Sequence, residues 1–200
     1  MSSIVYEYGR NLYINLTNRC PCACSFCIRL RGSGAGSADD LWLRREPSAS
    51  EVLRELDARS PDEYGELVFC GYGEPFCALD ALLEICRVLK GRGGLRIRVD
   101  TNGLGDLING KPVAPLLRGL VDKVSVSLNA PDARRYDELC APQYGQAAFP
   151  AILKFALECK EHVPEVIFTV VDVILPDEIK ACAAVAAAVG VPLRVRKRIV

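Results

Sequence analysis

Four cysteines fall within eight residues, Cys20-Pro-Cys22-Ala-Cys24-Ser-Phe-Cys27. Crowding of this kind suits a metal centre better than a set of disulfides. Three residues separate Cys20 from Cys24, and two separate Cys24 from Cys27. Three thiolates on one short loop can hold three irons of a cubane cluster and leave the fourth iron without a protein ligand. Cys22, Cys24 and Cys27 form an alternative set. A zinc site would want a fourth ligand. The only histidine, His162, stands far off at the end of a helical pattern. The six remaining cysteines, Cys70, Cys77, Cys86, Cys140, Cys159 and Cys182, are scattered through apolar segments and read as small core hydrophobes.

The rest of the chain reads as the scaffold for that loop. Strand and helix signals alternate, which predicts an α/β fold with parallel strands. Six strand-like runs cover Asn11–Thr17, Leu67–Gly71, Leu95–Thr101, Lys123–Asn129, Val166–Val173 and Leu193–Ile199. Ser48 and Glu51 make a capping box that opens a helix through about Ala58. Leu79–Lys90 has helical periodicity and stops at Gly91, while Ala148–Glu161 and Asp177–Val189 supply the last two helices. A shorter helix starts near Pro112. The expectation is a partial (β/α)6 barrel of parallel strands with outer helices. Residues 1–200 are expected to form one domain, with no auxiliary cluster domain. Arg31–Asp40, RGSGAGSADD, reads as a mobile loop.

Alternation along the strands carries a second message. Leu12, Ile14, Leu16, Leu95, Ile97, Val99, Val124, Val126 and Leu128 fall on a face that would pack beneath helices. Tyr13, Asn15, Thr17, Arg96, Arg98, Asp100, Ser125, Ser127 and Asn129 fall on the other. A closed barrel fills its interior with branched apolar chains. The polar face instead predicts a wet, open lumen for a polar ligand. The last strand repeats the pattern with Arg194, Arg196 and Arg198. Convergent arginines suit a carboxylate or phosphate. Arg96, Arg98, Arg194 and Arg196 are therefore candidate substrate-binding residues.

Taken with the strand preceding it, the cysteine loop resembles that of the radical SAM superfamily, whose motif is C-x3-C-x2-C after the first barrel strand. Cys20, Cys24 and Cys27 match it, leaving Cys22 a bystander. Phe26 matches an aromatic placed near the adenine of S-adenosylmethionine (SAM). Gly71-Tyr-Gly-Glu-Pro75 is similar to the family's G-G-E-P turn, which binds the SAM amino group, with Tyr72 in place of a glycine. This turn assigns Gly73 and Glu74 to SAM. Asp100-Thr-Asn-Gly103 resembles the D-T-N-G of glycyl-radical activating enzymes, where Asp and Thr lie beside the methionine moiety. By that likeness Asp100, Thr101 and Asn102 are SAM contacts. Ser127 and Asn129 stand where the family contacts SAM carboxylate and ribose. The fifth strand lacks the family's G-x-I-x-G, so Val170 and Val173 are the expected adenine contacts there. The segments NLYINLTNRC, SFCIR, LWLRREPS and FCGYGEP look most like TatD-associated radical SAM proteins.

The resemblance implies a [4Fe-4S] cluster that reductively cleaves SAM to a 5′-deoxyadenosyl radical, which takes hydrogen from a substrate; the arginines named above lead us to expect a small anionic or nucleotide-like one. It also implies an electron donor such as flavodoxin or ferredoxin. The rivals are an activase acting on a protein partner and a non-catalytic iron–sulfur or zinc module. Trp42, just after the cluster loop, would either close over the substrate or cap the barrel end. Lysine plus arginine equal aspartate plus glutamate at 25 each, so no general nucleic-acid binding is expected. No apolar run reaches the roughly 18 residues of a membrane span. The N-terminus lacks a signal-peptide pattern. The expected compartment is the cytoplasm.

Overall fold

A computed structural model describes residues 3–31 and 34–198. Seven strands form one sheet in chain order. They are β1 (Val5–Tyr8), β2 (Asn11–Ile14), β3 (Leu67–Phe69), β4 (Ile97–Thr101), β5 (Lys123–Ser127), β6 (Glu165–Val171) and β7 (Leu193–Arg196). Strands β2 to β7 are parallel, as the alternating pattern predicts, and curve into a partial barrel. Strand β1 is an addition. It pairs antiparallel with β2 across a turn at Gly9, whose φ is +63°. The expected last strand reached Ile199, which lies outside the described residues.

Among the described residues, six α-helices connect the strands: α1 (Ala49–Asp57), α2 (Leu79–Arg92), α3 (Gly105–Asn109), α4 (Ala133–Cys140), α5 (Ala148–Cys159) and α6 (Pro176–Val189). The capping box of α1 is present. Ser48 Oγ accepts from the Glu51 amide, and the Glu51 carboxylate accepts from the Ser48 amide. Helix α2 runs past Gly91, contrary to expectation. It ends where Gly93 takes φ +77°, a conformation that glycine adopts without steric cost. Residues 114–117 near Pro112 form a 3₁₀ turn. Helices α3 and α4 had no counterpart in the sequence reading.

The apolar strand face packs as expected. Leu12, Ile14, Phe69, Ile97, Val99, Val124, Val126 and Phe168 are essentially inaccessible and join one core with α2 and α5. Phe76 and Phe155 meet edge to face across it, with centroids 5.6 Å apart.

The inner face departs from the expected wet lumen. Asn15, Thr17, Arg98, Ser125, Asn129 and Thr169 are all buried. Register explains this. Tyr13, Val68, Arg98, Lys123 and Glu165 lie side by side across five strands, so opposite charges meet within one layer. Arg98 bonds Tyr13 Oη at 3.0 Å and ion-pairs with Glu66 at 3.0 Å and Asp100 at 3.1 Å. Lys123 pairs with Glu165. These groups plug the base of the barrel.

The segment expected as a mobile loop is tied down where it is described. Ser37 exchanges hydrogen bonds with Glu7 of β1, and Ala38 is buried with Tyr6, Leu41 and Tyr72. Gly32 and Ser33 of that loop lie outside the described residues. No helix among the described residues is long and apolar enough to cross a membrane.

Candidate active site at the barrel mouth

The cysteine loop leaves the C-terminal end of β2, where parallel strands present their loops. It is held by the far end of α4. Ala23 N donates to the carbonyls of Cys140 and Ala141, Ser25 N to that of Leu139, and Gln143 N to that of Pro21. Cys22 and Pro142 form an isolated antiparallel bridge. Ala141 takes φ +39° to make this turn, an unusual conformation for a residue with a Cβ.

Cys20, Cys24 and Cys27 are half-buried, and Cys22 is buried. The thiols of Cys20, Cys22, Cys24 and Cys140 influence one another electrostatically in that order. Cys27 is within electrostatic reach of Tyr72. The contact with Cys22, followed by burial, pushes the Cys20 thiol up. Cys20 lowers the Cys22 thiol, but Cys24 and burial outweigh it and push it up to about 12. Cys140 raises Cys24. Asn102 Nδ2 approaches Cys20 Sγ at 3.9 Å and Cys22 Sγ at 3.8 Å. Tyr136 Oη lies 3.8 Å from Cys22 Sγ. Among the described residues, no three histidine, cysteine or acidic side chains stand in metal-binding geometry. The donor set nevertheless suits an iron–sulfur cluster: soft thiols share one loop, with an amide N–H directed at their sulfurs.

Glu74 sits at the centre of the turns. Its carboxylate accepts from Thr101 Oγ1 at 2.6 Å, the Asn102 amide at 2.7 Å and the Phe76 amide at 3.3 Å. Burial raises its pKa to about 7 against those donors. Both its oxygens bind neighbouring turns, so the carboxylate expected to meet the SAM ammonium also bolts the β3 turn to the β4 turn. The Thr101 hydroxyl is also engaged, donating to Glu74 and accepting from Gly103 N. Gly73 is required by close approach, because a Cβ there would sit 2.2 Å from the Thr17 carbonyl oxygen.

The other expected residues divide. Asp100, on the inner face, is raised by burial and drawn down by Arg98, Arg196 and Arg194. Ser127 is half-buried at the end of β5. Asn129 follows it with φ +55°, and its Nδ2 lies 3.9 Å from Cys140 Sγ. Phe26 is half-buried against the core. Val173 is half-buried beyond the end of β6. Val170 does not face inward. It shares the helix-side face with Val166 and Phe168 in the core, and Thr169 and Val171 take the inner positions.

The four arginines also separate. Arg194 and Arg196 remain within electrostatic reach of Asp100. Arg98 is consumed by the plug. Arg96 precedes β4 at the opposite end of the barrel, where it pairs with Glu66 and Glu165. Neither Arg96 nor Arg98 is presented to a ligand at the mouth.

Sequence reasoning missed Cys140, Tyr136 and the 139–143 clamp. Their signal is the apolar spacing Tyr136, Leu139, Cys140 after Asp132, whose side chain accepts from the Arg135 amide to cap α4. Orphaned polar atoms mark the mouth: Asn15 Oδ1, Asn129 Oδ1, Thr169 Oγ1 and Arg196 Nε are buried without hydrogen-bond partners, while Asp100 Oδ1 is held by its ion pair with Arg98. Such atoms are costly to leave unpaired.

Comparison with known proteins fits this arrangement. Residues 14–187 match the family model described as Radical SAM superfamily. A probable RNA methyltransferase from Sorangium cellulosum is 33% identical over 151 residues, 69% of this chain and 32% of its own length. A probable dual-specificity RNA methyltransferase RlmN from Exiguobacterium sibiricum is 30% identical over 116 residues, covering 52% of this chain and 30% of that protein. The chain thus spans about a third of these curated relatives. Among solved structures, a radical SAM methyltransferase from Sphaerobacter thermophilus superposes with a TM-score of 0.63 at 20% identity, covering 96% of this chain and 68% of the other. Streptococcus suis SuiB bound to SAM gives 0.69 at 17% identity, covering 96% and 41%. At these identities the structures show a shared fold. The cysteine loop, the turns around it and the matched family model together place this chain in the radical SAM superfamily, a family of enzymes that use a [4Fe-4S] cluster and SAM.

Proposed function

We propose that residues 1–200 form the catalytic core of a radical SAM enzyme, with Cys20, Cys24 and Cys27 holding the cluster. The observation that carries this reading is the set of buried polar atoms without hydrogen-bond partners on Asn15, Asn129, Thr169 and Arg196, because it asks for a polar ligand on three strands beyond the one that bears the cysteine loop. A plain electron carrier or zinc module has no use for them. When bound, the cluster and SAM supply reductive cleavage of a sulfonium and a carbon radical that abstracts hydrogen. The chain's own residues bind and orient. Gly73 lets the β3 turn approach closely, and Glu74 fixes the Thr101 and Asn102 turn. Asp100, Asn102, Ser127 and Asn129 surround the methionine and ribose portions. Phe26 and Val173 flank the adenine.

Arg194 and Arg196 give the mouth its cationic side and support an anionic substrate, either a small metabolite or nucleotide-like. The relatives named as RNA methyltransferases favour the nucleotide-like form, including a nucleotide within a strand. The electron comes from an external donor of the flavodoxin or ferredoxin kind. The likeness of FCGYGEP and LWLRREPS to TatD-associated radical SAM proteins supports membership of that subgroup.

The test is anaerobic reconstitution followed by dithionite and SAM. The expected product is 5′-deoxyadenosine, from a chain carrying about four irons. An intact, reducible cluster that yields none overturns the reading. Cys24→Ala should lose the iron and its visible absorbance. Cys22→Ala should keep both; loss of iron from it would move the ligand set to Cys22.

A further inference from the structure

Trp42 is the only tryptophan in the chain, and it is 43% exposed. Its exposure is not that of a loose side chain. Its amide donates to Asp40 Oδ1 at 2.8 Å. Leu41 and Leu43 on either side are buried. The Leu41 carbonyl accepts from Asn15 Nδ2 at 2.7 Å, and Leu43 exchanges two hydrogen bonds with the Asn18 side chain. The indole meets Tyr72 edge to face, centroids 5.2 Å apart, and the Arg29 guanidinium lies 6.0 Å from its centre. Tyr72 follows β3 and Arg29 follows Cys27 by two residues, so the ring stands on the lip of the mouth.

Charge on the lip points the same way. Arg44 beside Trp42 is exposed and has no ion pair among the described residues. Across the sheet, Arg194, Lys197 and Arg198 are exposed at the end of β7, with Arg196 half-buried among them. The nearby acids are partly used. Asp40 accepts the Trp42 amide, Asp172 accepts the Arg198 amide, and Asp39 is exposed. These cations stand at both margins of the mouth, Arg44 beside Trp42 on the β3 side and the others on β7 at the opposite edge of the sheet, in a chain of zero net charge.

A rigid, exposed aromatic beside a guanidinium is a platform for a second π system, and cations around it suit phosphates. We infer that Trp42 and Arg29 form a stacking subsite for the base of a phosphate-bearing nucleotide, with the rim arginines and Lys197 meeting its phosphates. The inference rests on the nucleotide-like reading of the substrate and deepens it. A free nucleotide and a single strand of RNA share this chemistry.

The test titrates the reconstituted full chain with uridine monophosphate, with a short oligouridylate and with tripolyphosphate. Uracil probes avoid competition with an adenine site. Binding is read by calorimetry and by quenching of the Trp42 fluorescence. Both uracil probes should quench saturably. A much tighter oligouridylate identifies a strand as the source, and equal affinities identify a free nucleotide. Trp42→Ala should weaken uracil binding about tenfold, and Trp42→Phe should restore it. The inference is overturned if Trp42→Ala binds as tightly as the parent, or if tripolyphosphate binds and quenches as well as the uracil probes. None of these readouts needs SAM cleavage, so failure here and absence of 5′-deoxyadenosine are separate results.

Discussion

Glu74 shows how one motif residue can tie two turns of a site together. The carboxyl titrates at about 7 in the fold against an ordinary 4.5, with burial the main cause. A carboxyl with a raised pKa holds its proton longer in the folded state. Its contribution to stability is full below about 4.5 and is lost as pH rises to about 7. Urea unfolding of the cluster-free chain should therefore lose about 3 kcal/mol from this group between pH 4.5 and 7.5, and Glu74→Gln should flatten that slope. An unchanged slope in the variant would remove Glu74 as its source. Arg98 makes a similar case. Its replacement by alanine strips Asp100 of its ion pair and leaves Glu66 with Arg96 alone, which should cost about 3 kcal/mol. Arg194→Ala, at an exposed position, should stay within about 0.5 kcal/mol and weaken anion binding instead. Thermal melts of the two variants separate a structural arginine from a ligand-facing one.

At the scale of elements, the clamp between residues 21–25 and 139–143 is the feature least visible in the sequence. Backbone hydrogen bonds make it, and these leave no side-chain signature across so long a separation. The cysteine loop itself was legible, because thiol spacing is a local property. So were the parallel strands and the α1 cap, which rest on alternation and on a four-residue box. Strand β1 was overlooked although Val5-Tyr6-Glu7-Tyr8 followed by Gly9 carries a hairpin pattern. Ala141 gives the clamp a direct test. Its φ of +39° closes α4 in the left-handed region, where glycine is at ease. Ala141→Gly should stabilise the chain by about 0.5–1 kcal/mol, read as a higher melting temperature. A drop would mean that the alanine methyl packs favourably in the clamp.

For the whole molecule, the sheet's two faces followed from alternation, but the character of the inner face did not. Parity placed Tyr13, Arg98 and Asp100 inside. It did not reveal that Glu66, Lys123 and Glu165 would lie within reach of Arg96 and Arg98, because that depends on the register of five strands at once. Charges that suggested a wet chamber neutralise one another and seal the base, leaving ligand chemistry to the mouth. The clamp has a temporal consequence as well. The cysteines leave the ribosome before the segment that holds them, which ends at Gln143, 116 residues after Cys27. At ordinary elongation rates that gap is roughly 6–23 s. Throughout it the four thiols are tethered to a nascent chain without their backing. Synthesis in air therefore exposes them to oxidation before the fold can protect them, and slower translation lengthens the exposure.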